Sequence, residues 1–196
     1  NLDMIYSRIL DKASNYDYIH DIKCPIYKEE MDMVMSVSDN NARNLLFVSL
    51  VYYKWASQIS HLGFMSKREK RMVVYDNNSN LFKLAHIDSQ RVATKYKYLR
   101  LLCENNLYVA TDCKGKSISY IPFCKDSGEV VMTINNYEDI LGWLKYYNGE
   151  HKLCEICGLP IKKTKGNLKY CAKCFKDNRK KYVAQKVREK RMSTKM

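Results

Sequence analysis

The clearest periodicity in this chain is a stripe in which Leu45, Val48, Tyr52, Trp55 and Ile59 recur at alternating steps of three and four residues. That spacing places them on one helix face, and Asp39 or Asn40 supplies a cap, so a helix is predicted over 39–59 with its stripe in the core. Leu2, Ile5 and Ile9 repeat the same spacing near the start, and the chain around Cys24-Pro25 reads as irregular. The polar run Ser66-Lys67-Arg68-Glu69-Lys70-Arg71 reads as a solvated loop, and Asp76 to Asn80 as a turn cluster that caps the next helix. That short helix, over 81–87, is broken by Asp88-Ser89. A second, over 90–104, is predicted to turn Val92, Tyr96, Leu99 and Cys103 inward and to end at Asn105-Asn106. Residues 107–111 and 117–121 then read as two strands, with Asp112-Cys113-Lys114-Gly115-Lys116 as the hairpin connection. A further strand is expected over 130–134, then a helix over 137–147 closed by Asn148-Gly149. With only 3 Pro and 7 Gly, the predicted fold class is α+β and mainly helical.

The order helix, short helix, second helix, hairpin over about 39–123 resembles a winged helix-turn-helix. In that fold the second helix of the pair enters the DNA major groove and the hairpin tip touches the backbone. The resemblance implies a contact face made of Gln90, Arg91, Thr94, Lys95, Lys97 and Tyr98, with Lys114 and Lys116 at the tip. Arg91 can fork onto a guanine edge and Gln90 onto an adenine, while the lysines meet phosphates. A generic exposed helix face and hairpin is the alternative account of the same residues, and DNA contact is the preferred one.

Charge changes the picture once it is located. Residues 1–150 carry 19 Lys and Arg against 18 Asp and Glu, whereas 151–196 carry 15 against 3, so +12 of the net +13 lies in the last 46 residues. Concentration of that kind marks a polyanion-binding tail. Its cations include Lys173, Lys176, Arg179, Lys180, Lys181, Lys186, Arg188, Lys190 and Arg191. Among them runs a thin apolar stripe, Phe175, Tyr182, Val183 and Val187, expected to dock only the first turns of a helix.

Eight Cys residues would suggest disulfides in an exported chain. Here Asp3, Arg8, Asp11 and Lys12 interrupt any apolar leader, and the longest apolar run, Leu45 to Tyr53, falls short of the roughly 20 residues of a membrane span. A cytoplasmic protein without membrane contact is therefore expected, and metal explains the cysteines better. Cys154 and Cys157 form one C-x-x-C pair, relieved by Gly158, and Cys171 and Cys174 form a second. Two such pairs supply the four corners of a tetrahedral zinc site with no open position, hence one structural Zn2+. Lys162 to Asn167 reads as a hairpin tip between them. Knuckle, hairpin and helix-borne pair resemble a treble-clef zinc finger, giving domains 1–149 and 150–196. None of His20, His61, His86 and His151 lies where a treble-clef nuclease needs one. Whether Cys103, Cys113, Cys124 and His86 form a second site is left open.

The whole C-terminal pattern, C-x-x-C-G, then Y-C-x-x-C and a Lys/Arg-rich helix, resembles small proteins of phages and mobile elements in AT-rich Gram-positive bacteria. That resemblance implies a non-enzymatic nucleic-acid-binding protein, a regulator or replication accessory, with DNA a better fit than RNA. A different class, a phage-encoded inhibitor of a host nucleoprotein machine such as a CRISPR effector nuclease, fits the same tail. No nucleophile–base pair, carboxylate cluster or Gly-rich phosphate loop points to an enzyme.

Overall fold

The computed structural model describes residues 22–59, 62–66, 71–75, 78–88, 92–113, 116–137, 139–164 and 168–193. Among these the fold is α+β, with six helices and eight short strands in three small sheets. The chain separates into two compact units between Leu141 and Gly142. The helix expected around Leu2, Ile5 and Ile9 lies outside the described residues.

The first unit begins with strand β1 (Cys24–Tyr27) and helix α1 (Lys28–Met35), then α2 (Asn40–Ala56). Asp39 caps α2 by accepting hydrogen bonds from the Asn41 and Ala42 amides at 2.9 and 3.0 Å. The helix is buried beyond its predicted stripe. Leu45 and Val48 are enclosed, and so are Leu46, Phe47, Leu50 and Val51 on other sides. A helix apolar nearly all round is a central one. Ile59, expected on the stripe, falls after the helix end.

Strands β2 (Gly63–Ser66) and β3 (Arg71–Tyr75), not expected from the sequence, flank the basic run expected as a loop. Residues 67–70 of that run lie outside the described residues, and α3 (Asn78–Leu84) begins within the expected turn cluster. Gly63 is required here, because a Cβ on it would sit 2.6 Å from the Val73 carbonyl oxygen of the paired strand. Next along the chain are helix α4 (Val92–Glu104) and the hairpin of β4 (Val109–Cys113) and β5 (Lys116–Tyr120). The four strands form one sheet in the order β2-β3-β5-β4, with Val74 opposite Ser119. Strand β6 (Val130–Ile134) returns to pair antiparallel with β1, Cys24 opposite Ile134. The chain around Cys24-Pro25 is therefore a strand rather than irregular. Helix α5 (Ile140–Tyr147) starts three residues later than expected and straddles the division between the units.

Helices α3, α4 and α5 end alike. His86, Asn106 and Gly149 adopt φ values of 55°, 54° and 77°. The next amide in each case reaches five residues back, Ile87 to Phe82, Leu107 to Leu102 and Glu150 to Lys145, all at 2.9 Å. This left-handed cap satisfies carbonyls that the helix leaves open. The terminators read at Asn105-Asn106 and Asn148-Gly149 act as expected.

One buried ion pair joins distant segments of this unit. Glu30 of α1 is fully enclosed and Lys54 of α2 nearly so, with 2.9 Å between Oε2 and Nζ. Lys54 also donates to the Pro25 carbonyl at 2.7 Å and lies 4.3 Å from the centre of the Tyr27 ring. Glu30 accepts the Tyr27 amide at 2.9 Å and the Lys125 amide at 2.8 Å. Every polar atom of the pair is bonded, which is what makes its burial tolerable. Lys54→Met leaves a bonded but unneutralised carboxylate, so the protein should lose about 3–5 kcal/mol. Adding Glu30→Gln removes the stranded charge and should recover most of that loss. Urea unfolding of the two variants, monitored by Trp55 fluorescence in a Trp143→Phe background, measures both. Equal stability of the single and double variants would refute the buried pair.

Candidate metal centre

In the second unit, strands β7 (His151–Leu153) and β8 (Pro160–Lys162) flank the first Cys pair, so the knuckle itself is the turn of this hairpin. The expected tip at 162–167 is not where these strands turn, and residues 165–167 lie outside the described residues. The Cys154 amide donates to the Leu159 carbonyl at 2.8 Å, and Gly158 returns a 2.9 Å bond to the Cys154 carbonyl. Gly158 has a φ of 69°, a conformation glycine adopts without strain. A further bond from the Glu155 amide to the Lys169 carbonyl, 3.1 Å, fastens the knuckle to the segment carrying the second pair.

Cys171 immediately precedes helix α6 (Ala172–Ser193), and Cys174 sits in its first turn. The four Sγ atoms of Cys154, Cys157, Cys171 and Cys174 lie within 4.8 Å of one another, and those of Cys157 and Cys171 are 3.8 Å apart. Metal–sulfur bonds of about 2.3 Å in a tetrahedron put sulfurs about 3.8 Å apart, so the cluster has the dimensions to hold one ion. The Cys171 amide donates to the Cys154 sulfur at 3.3 Å, and the Cys174 amide to the Cys171 sulfur at 3.4 Å. Such N–H donors orient thiolate ligands and spread their charge.

The thiols do not ionise alike. Burial raises the Cys154 pKa, but backbone N–H groups of Cys157, Cys171 and Ile156 outweigh it and bring the value down to about 6. Cys174 is pushed up to about 12, first by its hydrogen bond with Cys171 and then by burial and the other sulfurs. Cys157 is also raised, chiefly by burial. Four neighbouring thiols cannot all become anions unless a cation shares the space.

The nucleic-acid contacts expected from the sequence are placed unevenly. Gln90, Arg91 and Lys114 lie outside the described residues. Lys95 falls within α4 and Lys116 begins β5. Lys97 is exposed and Thr94 half-buried. Tyr98, expected outward, is 7% exposed, and its hydroxyl accepts a 2.9 Å bond from Asn41 Nδ2 of α2. Tyr96, expected inward, is 67% exposed. The open face of α4 therefore runs through Ala93, Tyr96, Lys97 and Arg100, about one residue's rotation from the expected one. On α6, Lys173, Lys176, Arg179, Lys180, Lys181, Lys186 and Arg188 are all exposed, and Lys190 and Arg191 extend the same helix. Phe175, expected to dock, is also exposed.

The first unit contains a cleft of about 670 Å³ lined by Lys23, Tyr27, Tyr53, Lys54, Met65 and Cys124, among others. Its polar groups are largely engaged: Tyr27 Oη donates to the Asp126 carbonyl and Tyr53 Oη to that of Met72. Burial pushes the Cys124 thiol up to about 12, so it stays protonated at neutral pH. Among the described side chains, the four C-terminal cysteines are the one group of three or more His, Cys, Asp or Glu arranged to hold a metal. No helix of the described residues is long and apolar enough to cross a membrane.

No protein-family model matches the chain, and no curated protein or solved structure matches it significantly.

The protein should bind one divalent ion per chain, and Cys171→Ser should abolish binding while the first unit stays folded. Elemental analysis of the purified protein checks the ratio, and two ions per chain would contradict a single tetrathiolate site. Because the ion is held by thiolates and Cys157 and Cys174 are raised above the ordinary thiol pKa, metal uptake should release protons into the medium, and binding should weaken as pH falls. Calorimetric titrations in buffers of different ionisation enthalpy measure that release.

Proposed function

We propose that this chain is a zinc-stabilised nucleic-acid-binding protein that performs no chemistry of its own. Zinc is the ion that best suits four thiolates at tetrahedral spacing with no ligand position left open. The observation that carries the reading is α6: a 22-residue helix that starts at the cysteine cluster and presents its cations from Lys173 to Arg188 to solvent. Between Ala172 and Ser193 the acidic residues are Asp177 and Glu189 alone. Such a helix repels its own kind and attracts polyanions along its length of about 33 Å.

The first unit supports the same reading by its connectivity. Helix α2, strand β3, helices α3 and α4, and the β4–β5 hairpin come in that order along the chain, and β3 joins the sheet beside β5. That is the order of a winged helix-turn-helix, with β2 as an additional edge strand. In this reading α4 offers Tyr96, Lys97 and Arg100 to duplex DNA, and α6 grips the backbone. The knuckle hairpin leading to a helix-borne pair of ligands is likewise the plan of a treble clef.

If about six of the tail's cations meet phosphates, log affinity for duplex DNA should fall against log salt with a slope near −5. Deleting residues 176–196 spares all four cysteines and should reduce the slope to about −2. Fluorescence anisotropy over several salt concentrations reads both values. An unchanged slope would mean that α6 is no nucleic-acid grip. Weak binding to every nucleic acid, with tight capture of a nucleoprotein complex, would favour the inhibitor reading.

A further inference from the structure

Along α6, Phe175, Arg179, Tyr182 and Lys186 are spaced at steps of four, three and four, so they form a single stripe about 60° wide. The stripe alternates aromatic, cation, aromatic, cation over about 16.5 Å. Both rings are open to solvent: Phe175 is 53% exposed and Tyr182 62%. Val183 and Val187 line one edge, also exposed, on the same side as Lys176 and Lys180. Lys186 lies 5.9 Å from the Tyr182 ring centre and pairs with Glu189 at 3.0 Å. That ion pair is exposed on both sides and so holds the lysine only weakly.

Phosphate binding alone does not call for exposed aromatics, whose hydration is unfavourable. On a duplex the base faces are already stacked, and these rings would find only sugar and phosphate. We propose that the stripe takes single-stranded nucleic acid, with bases stacking on Phe175 and Tyr182 while Arg179 between the rings and Lys186 beyond Tyr182 hold phosphates. This rests on the nucleic-acid reading above and names the form of partner that α6 prefers. The two rings are seven residues apart, about 10.5 Å along the helix, which matches about three steps of a strand with 3.4 Å per nucleotide. Every base has a face to stack, so the preference is for unpaired bases and tolerant of sequence.

Other occupants fit less well. A second copy of α6 would bring two strongly cationic helices together. An anionic membrane surface asks for a continuous apolar face, and here Arg179 and Lys186 interrupt the rings, so immersion would desolvate both charges. The alternation suits a polymer that itself alternates flat bases with phosphates.

The test uses the full zinc-loaded chain with a 20-nucleotide oligothymidine strand and a 20-base-pair duplex at one salt concentration. The double variant Phe175→Ala/Tyr182→Ala should lose about a hundredfold in affinity for the single strand, roughly tenfold per ring. Its duplex affinity should stay within about twofold, since tail contacts there are to phosphates. Arg179→Gln/Lys186→Gln should weaken both. Metal content and circular dichroism verify that each variant keeps its fold. Photocrosslinking of a bromouracil-substituted strand should label Tyr182. Equal losses on both ligands, crosslinks confined to the first unit, or firm binding to anionic vesicles instead would overturn the stripe while leaving a nucleic-acid role intact. Binding to neither nucleic acid would overturn the proposed function itself.

Discussion

Four sulfur atoms held within 4.8 Å of one another are a costly arrangement until something positive sits among them. The second unit depends on that constraint. Beyond α5 its paired strands contribute three residues each, and Cys154 and Ile161 are the buried side chains among the described residues, too little core to hold a fold. The cluster ties the knuckle to the first turn of α6. It also starts the helix, because Cys171 and Cys174 fix the backbone through which nucleation would otherwise be unfavourable. Past that turn α6 has no apolar docking among the described residues, and its cations from Lys176 to Arg188 stay exposed to solvent.

The first unit solves a different problem by different means. It has a true core around α2, and it spends one internal charge pair on joining segments that are far apart in sequence. Glu30 and Lys54 bind β1, α1, α2 and the turn at Lys125 into one place. A wholly apolar substitute would hold these segments without the same directional bonds. With that corner fastened, the sheet order β2-β3-β5-β4 and the packing of α4 on α2 through Tyr98 and Asn41 leave the opposite side of α4 open.

The metal cluster was legible from the sequence because its ligands are local: two residues separate the members of each pair, and the spacing carries the chemistry. The helices were legible where periodicity was strong or a cap was present, as at Asp39, Asn106 and Gly149. What escaped was non-local. Strand β1 is four residues long and contains a proline, and its partner β6 lies more than a hundred residues away, so nothing nearby announces it. Strands β2 and β3 were hidden by the basic run between them. The inward face of α4 was assigned through Tyr96, which shares a period with Val92 and Leu99. Tyr98, one-half turn away, is the ring that finds a polar partner on α2 and is enclosed. Nothing in the sequence marks Glu30 and Lys54 as buried, since burial of such residues becomes visible only when the partner is seen.

Order in the basic helix should come from the metal. Hydrogen–deuterium exchange of the metal-loaded and chelated protein compares that order residue by residue. The amides of 153–162 and of the first turns of α6, 172–179, should be protected in the loaded protein and exchange freely after chelation, while those of α2 and the four-stranded sheet stay unchanged. Equal protection of the first turns of α6 in both states would contradict it, because the helix would then stand without the ion.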